Sequence, residues 1–131
     1  MDLILAQGAH AAMLAAADAR HPHEACGLLF GAAGAITLFR ETANLAPDPA
    51  RHFAIDPAAL IAAHRAARAG GPALVGYFHA HPTGDPAPSA TDRAAAAHDG
   101  RIWAIAGGGT ITLWRDVPSG FEALSYRLVD G

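Results

Sequence analysis

The sequence predicts an α+β fold, a mixed and partly curled β-sheet flanked by helices. Three observations predict it. Short apolar runs recur at Leu3-Ile4-Leu5, Cys26 to Phe30, Val75 to Phe78 and Ile102 to Ala106, and such runs read as buried strands. Helical stretches separate the earlier runs. After Arg101 only strand patterns remain, which breaks the regular alternation of a parallel α/β fold. The 131 residues suit one domain, residues 1–131, with room for a real core.

Leu3 to Leu5 opens the sheet. Gly8 to Ala19 is rich in alanine with Met13 and Leu14, a helix composition, and Pro22 forbids its continuation. Glu24 to Gly31 follows as a buried strand with an acid at its mouth. Ala33-Gly34 turns the chain into a returning strand, Ile36 to Phe39. A loop from Glu41 to Ala50 contains Pro47 and Pro49. His52-Phe53-Ala54-Ile55 alternates as an exposed edge strand. Asp56-Pro57 starts a helix with Asp at the N-cap and Pro at the first helical position. That helix runs to Ala69, with Leu60 and Ile61 toward the core and His64 at the surface or core edge. Ser89 to His98 is a third helix. Arg101 to Ala106 and Thr110 to Arg115 form a hairpin across Gly107-Gly108-Gly109. Phe121 to Leu128 alternates and closes the sheet.

Composition excludes several functions. The formal net charge is −3 and no basic patch is interleaved with aromatics, so nucleic acid is not an expected partner. No apolar run reaches the length of a membrane span, and the N-terminus lacks the pattern of a signal peptide. A single cysteine, Cys26, excludes an internal disulfide and fits a reducing cytoplasm. Inside an apolar strand, Cys26 reads as a small core residue rather than a nucleophile.

The most informative stretch is Gly76-Tyr77-Phe78-His79-Ala80-His81-Pro82, followed after six residues by Ser89-Ala90-Thr91-Asp92. Residues i and i+2 of a strand point to one face, so His79 and His81 can present two imidazoles to one point. Pro82 stops the strand, having no N–H for the ladder. Thr83 to Pro88 is stiffened by further prolines. Ser89 and Asp92 have the spacing of a helix cap and its third residue. The cap fixes the helix start, and the helix start aims the carboxylate back at the histidines. Two imidazoles and a carboxylate are a common protein ligand set for a catalytic zinc. Glu24 is open to two readings, a solvated carboxylate at a strand end or a general base with a pKa raised by apolar surroundings. His21 and His23, flanking a proline, read as surface residues.

Together, Glu24, His79-x-His81-Pro82, Ser89 and Asp92 resemble the JAMM (MPN+) metalloprotease family. Its pattern is an upstream Glu, then H-[ST]-H-P, six residues, and S-x-x-D. The resemblance covers nearly the whole chain and implies the JAMM/MPN, cytidine-deaminase-like architecture. It also implies that His79, His81 and Asp92 hold Zn²⁺ with water as fourth ligand. Glu24 would hold and deprotonate that water, and Ser89 would hydrogen-bond the oxyanion if its hydroxyl is not fully committed to the cap. The implied reaction is cleavage after the Gly-Gly tail of a ubiquitin-like or sulfur-carrier protein, the tail lying as an extended strand beside the site. One departure stands between the histidines, where Ala80 replaces the family's Ser or Thr. Ala80 faces away from the ligand side of the strand, so it bears on supporting hydrogen bonds rather than on ligand identity.

Two other function classes remain for comparison. A metal-free MPN-type scaffold that recruits partners would not need the intact ligand set. A nucleoside deaminase would need a paired-cysteine ligand signature, which one cysteine cannot supply.

Overall fold

The computed structural model describes residues 2–131. Among them, eight strands and three helices follow in the order β1 (Leu3–Ala6), α1 (Gln7–Arg20), β2 (Cys26–Ala32), β3 (Ala35–Thr42), α2 (Pro57–Arg68), β4 (Ala73–Ala80), α3 (Ala90–Ala95), β5 (Ile102–Gly107), β6 (Thr110–Val117), β7 (Gly120–Leu124) and β8 (Tyr126–Val129). All eight strands join one mixed sheet in the order β7-β6-β5-β4-β2-β3-β1-β8. β1 runs parallel to both β3 and β8, and β4 runs parallel to β5. The other pairings are antiparallel.

The helices cover opposite faces, as strand alternation requires. Leu29 of β2 joins Met13, Ala9 and Ala16 of α1 in the larger apolar cluster. Its neighbours Leu28 and Phe30 pack with Leu74 and with Ala63 of α2 in the smaller one. Central strand β5 is buried along its whole length, which accounts for its unbroken apolar sequence.

Close strand contact requires glycine at one central position. Gly76 of β4 lies opposite Ile102 of β5 and Leu29 of β2, and a Cβ there would collide with the Ile102 carbonyl oxygen. Gly76→Ala is therefore expected to lower stability by about 1–3 kcal/mol, the range for overpacking a well-filled interior. A urea unfolding curve superimposable on wild type would contradict that contact.

Four expectations need correction. His52 to Ile55 is not a strand. Only a single bridge, Asn44 to Ile55, forms there, and the Asn44 side chain takes the place of a partner strand by bonding to His52 and Ala54. Ile61 does not face the core. It is 53% exposed, and Ala63 is the buried residue of α2, with Leu60 packed at the edge of the smaller cluster. The third helix stops at Ala95 rather than His98, and Ala96 is already extended. Buried Asp116 draws the chain out of the helix by accepting the His98 backbone N–H at 2.9 Å and contacting its ring Nδ1 at 3.2 Å. This holds His98 at φ 57°.

The fourth correction explains how the sheet curls. Phe121 to Leu128 is two strands, not one. β7 pairs with β6 at one edge, and β8 pairs with β1 at the other. Ser125 is the only residue between them, so the sheet must bend until its two edges meet at Ser125. Leu3 N–H bonds to the Ser125 carbonyl at 3.0 Å, and the Ser125 hydroxyl donates to Asp2 at 2.6 Å.

Candidate metal centre

Sheet register brings the distant parts of the site together. β2 and β4 are antiparallel with Cys26 opposite His79, and Ala80 N–H bonds to the Ala25 carbonyl beyond the end of the ladder. Two residues further along each chain, the same register sets Glu24 level with His81. His81 is held on its other side by β5, its N–H bonding to Ala106 at 2.8 Å. Phe78 and Ala80 lie in the cluster with α1. His79 points to the opposite side, among Phe53 and Trp103.

Asp92 arrives through the helix cap. The Ser89 hydroxyl accepts the Asp92 backbone N–H at 3.0 Å, and Asp92 Oδ2 accepts the Ser89 N–H at 2.9 Å. This reciprocal capping box locks the first turn of a short helix. Asp92 is almost fully buried, and its two oxygens reach both imidazoles, Oδ1 at 3.0 Å from His79 Nε2 and Oδ2 at 3.0 Å from His81 Nε2. The two Nε2 atoms are themselves 3.0 Å apart.

His81 Nδ1 lies 2.7 Å from the Asp85 carbonyl, and a carbonyl only accepts, so Nδ1 carries a proton. A neutral His81 then turns a bare Nε2 lone pair toward a second imidazole and a carboxylate. Four polar atoms meet here, the two Nε2 nitrogens and the two Asp92 oxygens, and the His81 lone pair can face a carboxylate oxygen at 3.0 Å only with a proton or a cation between them. Tetrahedral Zn²⁺ with bonds of about 2.0–2.1 Å sets its ligand atoms about 3.3 Å apart, close to the spacing present. The donor set therefore fits Zn²⁺. The Asp85 carbonyl supplies the outer hydrogen bond that usually fixes a ligating histidine. Its loop is set by tight packing, since a Cβ on Gly107 would lie 2.8 Å from the backbone of Asp85 and Pro86. The Thr112 hydroxyl also donates to the Pro86 carbonyl at 2.6 Å.

Burial and the mutual contacts set the proton affinities. Burial alone would raise Asp92, but hydrogen bonds from His79 and His81 outweigh it and hold the carboxyl well below the usual carboxylate range. Burial lowers His79 against the pull of Asp92. His81 also loses solvation, yet Asp92 and the Asp85 carbonyl raise it overall. Glu24 is pushed up to about 7, mainly by burial, with His81 opposing.

One carboxylate oxygen of Glu24 and one ring nitrogen of each histidine lie within 4.8 Å of one another. Glu24 is buried, so of its two sequence readings the solvated strand-end carboxylate is ruled out. Glu24, His81 and Ser89 line a common groove of about 270 Å³ with Pro82, Thr83 and Pro88. Among the described hydrogen bonds the Ser89 hydroxyl accepts but does not donate, so its proton is available to the groove. Cys26 is fully buried and free, bonded toward Thr42, with burial raising its thiol pKa. It is the core residue expected. Two residues near the centre escaped sequence reasoning, Phe53 and Asn44. Phe53 stacks on His79, and Asn44 Nδ2 donates to the Glu24 carbonyl at 3.0 Å. The one local signal is an Asn in the loop ahead of Pro47, a residue type that commonly bonds to nearby backbone.

A desampylase of Haloferax volcanii is 36% identical over 86 residues, covering 64% of this chain and 62% of that protein. The chain thus matches less than two thirds of the length of this curated relative. A protein of Desulfitobacterium hafniense, solved in solution, superposes with a TM-score of 0.83 at 27% identity, over 98% of this chain and 94% of that one. A JAB1/MPN domain protein of Archaeoglobus fulgidus superposes with a TM-score of 0.65 at 17% identity, over 98% of each chain, and so shares the fold. Residues 6–117 match the family of prokaryotic homologs of the JAB domain, and the chain belongs to that family.

Proposed function

We propose that this chain is a zinc-dependent isopeptidase or peptidase that cuts after the Gly-Gly tail of a ubiquitin-like or sulfur-carrier protein. The reading treats residues 1–131 as one domain carrying the whole site. The observation that carries it is the meeting of His79 Nε2, His81 Nε2 and Asp92 at 3.0 Å, with Glu24 beside them. The similarity to a desampylase supports it.

In this reading His79, His81 and Asp92 hold the zinc. A zinc ion there would lower the pKa of a bound water to about 7 and polarise the scissile carbonyl. Glu24 takes the proton of the attacking water on its carboxylate. A carboxyl raised to about 7 gains and loses protons near neutral pH, although a nearby cation pulls it down again. The same carboxyl then passes the proton to the departing amine. Ser89 Oγ–H donates to the carbonyl oxygen as negative charge gathers on it. The groove beside Glu24 and Ser89 receives the tail in extended form. Glycines suit it because they bring no side chain to collide with Pro82 and Pro88. The reading places the enzyme in the cytoplasm, which a lone buried thiol suits.

The test is a Gly-Gly-tailed ubiquitin-like protein fused to a reporter, incubated with the protein before and after chelation. Cleavage should stop on chelation and return with Zn²⁺. Cleavage that persists in the stripped protein, or zinc-loaded protein that leaves every such fusion intact, would overturn the reading. Ser89→Ala is expected to lower kcat by about 10²–10³-fold, the effect of removing one oxyanion donor. It should also cost about 1 kcal/mol of stability through the lost cap. Steady-state kinetics and a melt separate the two losses.

A further inference from the structure

We propose that Asn44 is a positioning residue for the metal centre, fixing Glu24 on one side and, through Phe53, the ring of His79 on the other. The inference rests on the reading above, in which His79 is a ligand and Glu24 a base.

The starting observation is that the two histidines are held in different ways. His81 gives its Nδ1–H to the Asp85 carbonyl. His79 is fully buried, and its Nδ1 has no hydrogen-bond partner. A ligating imidazole ordinarily gives its second N–H to a carboxylate, carbonyl or water, which sets the ring's angle. His79 is set by packing instead. Phe53 lies flat against it, ring centres 4.2 Å apart and planes 15° apart, and Trp103 meets it edge-on at 5.6 Å. Trp103 belongs to β5 and is fixed by the sheet. Phe53 sits on a segment with no strand ladder, held to the backbone of residues 44 and 45 only past Phe53, by the Leu45 N–H bond to the Ala54 carbonyl at 2.9 Å and the Asn44–Ile55 bridge.

Asn44 holds it. Its Nδ2 donates to the His52 carbonyl at 2.9 Å, and its Oδ1 accepts the Ala54 N–H at 3.0 Å. These two bonds clamp the main chain on either side of Phe53. The same Nδ2 donates to the Glu24 carbonyl at 3.0 Å, and Oδ1 also accepts the Ala46 N–H at 3.0 Å. Both amide hydrogens and both carbonyl lone pairs are thereby used. The Glu24 N–H bonds back to the Pro49 carbonyl of the same segment at 2.7 Å. One side-chain amide thus joins the strand mouth that carries Glu24 to the ring that orients His79.

The test uses Asn44→Ala, Asn44→Asp, Phe53→Ala and Phe53→Tyr in the full chain. Zinc affinity is measured by chelator competition, kcat at saturating zinc, and the His79 ring protons by NMR in metal-free protein. Phe53→Ala should weaken zinc about 10–100-fold, the usual cost of losing an outer partner of a ligand, and Phe53→Tyr should restore it. Both Asn44 variants should weaken zinc, with no further loss when combined with Phe53→Ala. At saturating zinc, kcat should fall further in the Asn44 variants than in Phe53→Ala, because only they release Glu24. Asn44→Asp keeps the two accepted bonds and covers the case in which Asn44→Ala fails to fold. A lowered melting temperature with wild-type zinc affinity and kcat would reduce Asn44 to a structural role and overturn the proposal. The NMR readout separates this inference from the functional reading. Stacking on Phe53 shifts the His79 ring protons upfield without any metal. That shift should vanish in Phe53→Ala and Asn44→Ala and shrink in Asn44→Asp, which loses the His52 half of the clamp, and an unchanged shift in Asn44→Asp would overturn the proposal even if wild type bound no zinc.

Discussion

Glu24→Gln is expected to lower cleavage of a Gly-Gly-tailed fusion by about 10²–10⁴-fold while leaving zinc in place. The range is that of a positioned general acid–base group. Gln preserves the shape of a buried side chain and removes only its ability to take a proton. Glu24 stands outside the triangle formed by His79, His81 and Asp92, so zinc stoichiometry should not change. Burial penalises the ionised carboxyl, so the neutral amide should leave the melting temperature equal to wild type or above it. Single-turnover cleavage, metal analysis and a melt check the three parts. Equal cleavage rates would remove Glu24 from the chemistry, and loss of zinc would move it into the ligand set.

Asp92→Ala should abolish both zinc retention and cleavage. Asp92 is the residue through which the helix and the strand meet. It contacts both imidazoles and closes the capping box with Ser89. Its loss leaves two imidazoles without their carboxylate, and zinc should weaken by more than the about 10–100-fold of an outer partner. The metal-free protein should also lose about 0.5–1.5 kcal/mol with the Ser89 N–H bond to Asp92 Oδ2, while the Ser89 hydroxyl keeps its bond to the backbone N–H of residue 92. Chelator competition and denaturant unfolding measure the two effects separately. Wild-type zinc affinity in this variant would contradict the ligand assignment.

The parts of this molecule legible in its sequence are those coded by short spacing. His79 and His81 share a face because strand side chains repeat every two residues. Ser89 and Asp92 form a cap because three residues separate a helix cap from the N–H it binds. The meeting of Glu24 with His81 is different, since it comes from the pairing of β2 with β4. No local pattern encodes that register, and only the family resemblance anticipated it. Elsewhere, distant partners override local signals. The alternation His52 to Ile55 looks like a strand, yet it meets only one backbone bridge and the side chain of Asn44. The alanine run after Asp92 favours helix, yet Asp116 captures His98 and ends it. Phe121 to Leu128 alternates without interruption, and nothing in that alternation says that its halves bind opposite edges of the sheet. The curl that brings those edges together at Ser125 was expected in kind, but not in its means.

The most direct measurement is the X-ray absorption spectrum of the zinc-loaded protein, which reads the atoms bound to the metal. The account expects one zinc per chain with two imidazole nitrogens and oxygen donors, all at about 2.0–2.2 Å, and one imidazole fewer in His79→Ala. A sulfur shell near 2.3 Å, or a spectrum unchanged by His79→Ala, would place the metal elsewhere and contradict it.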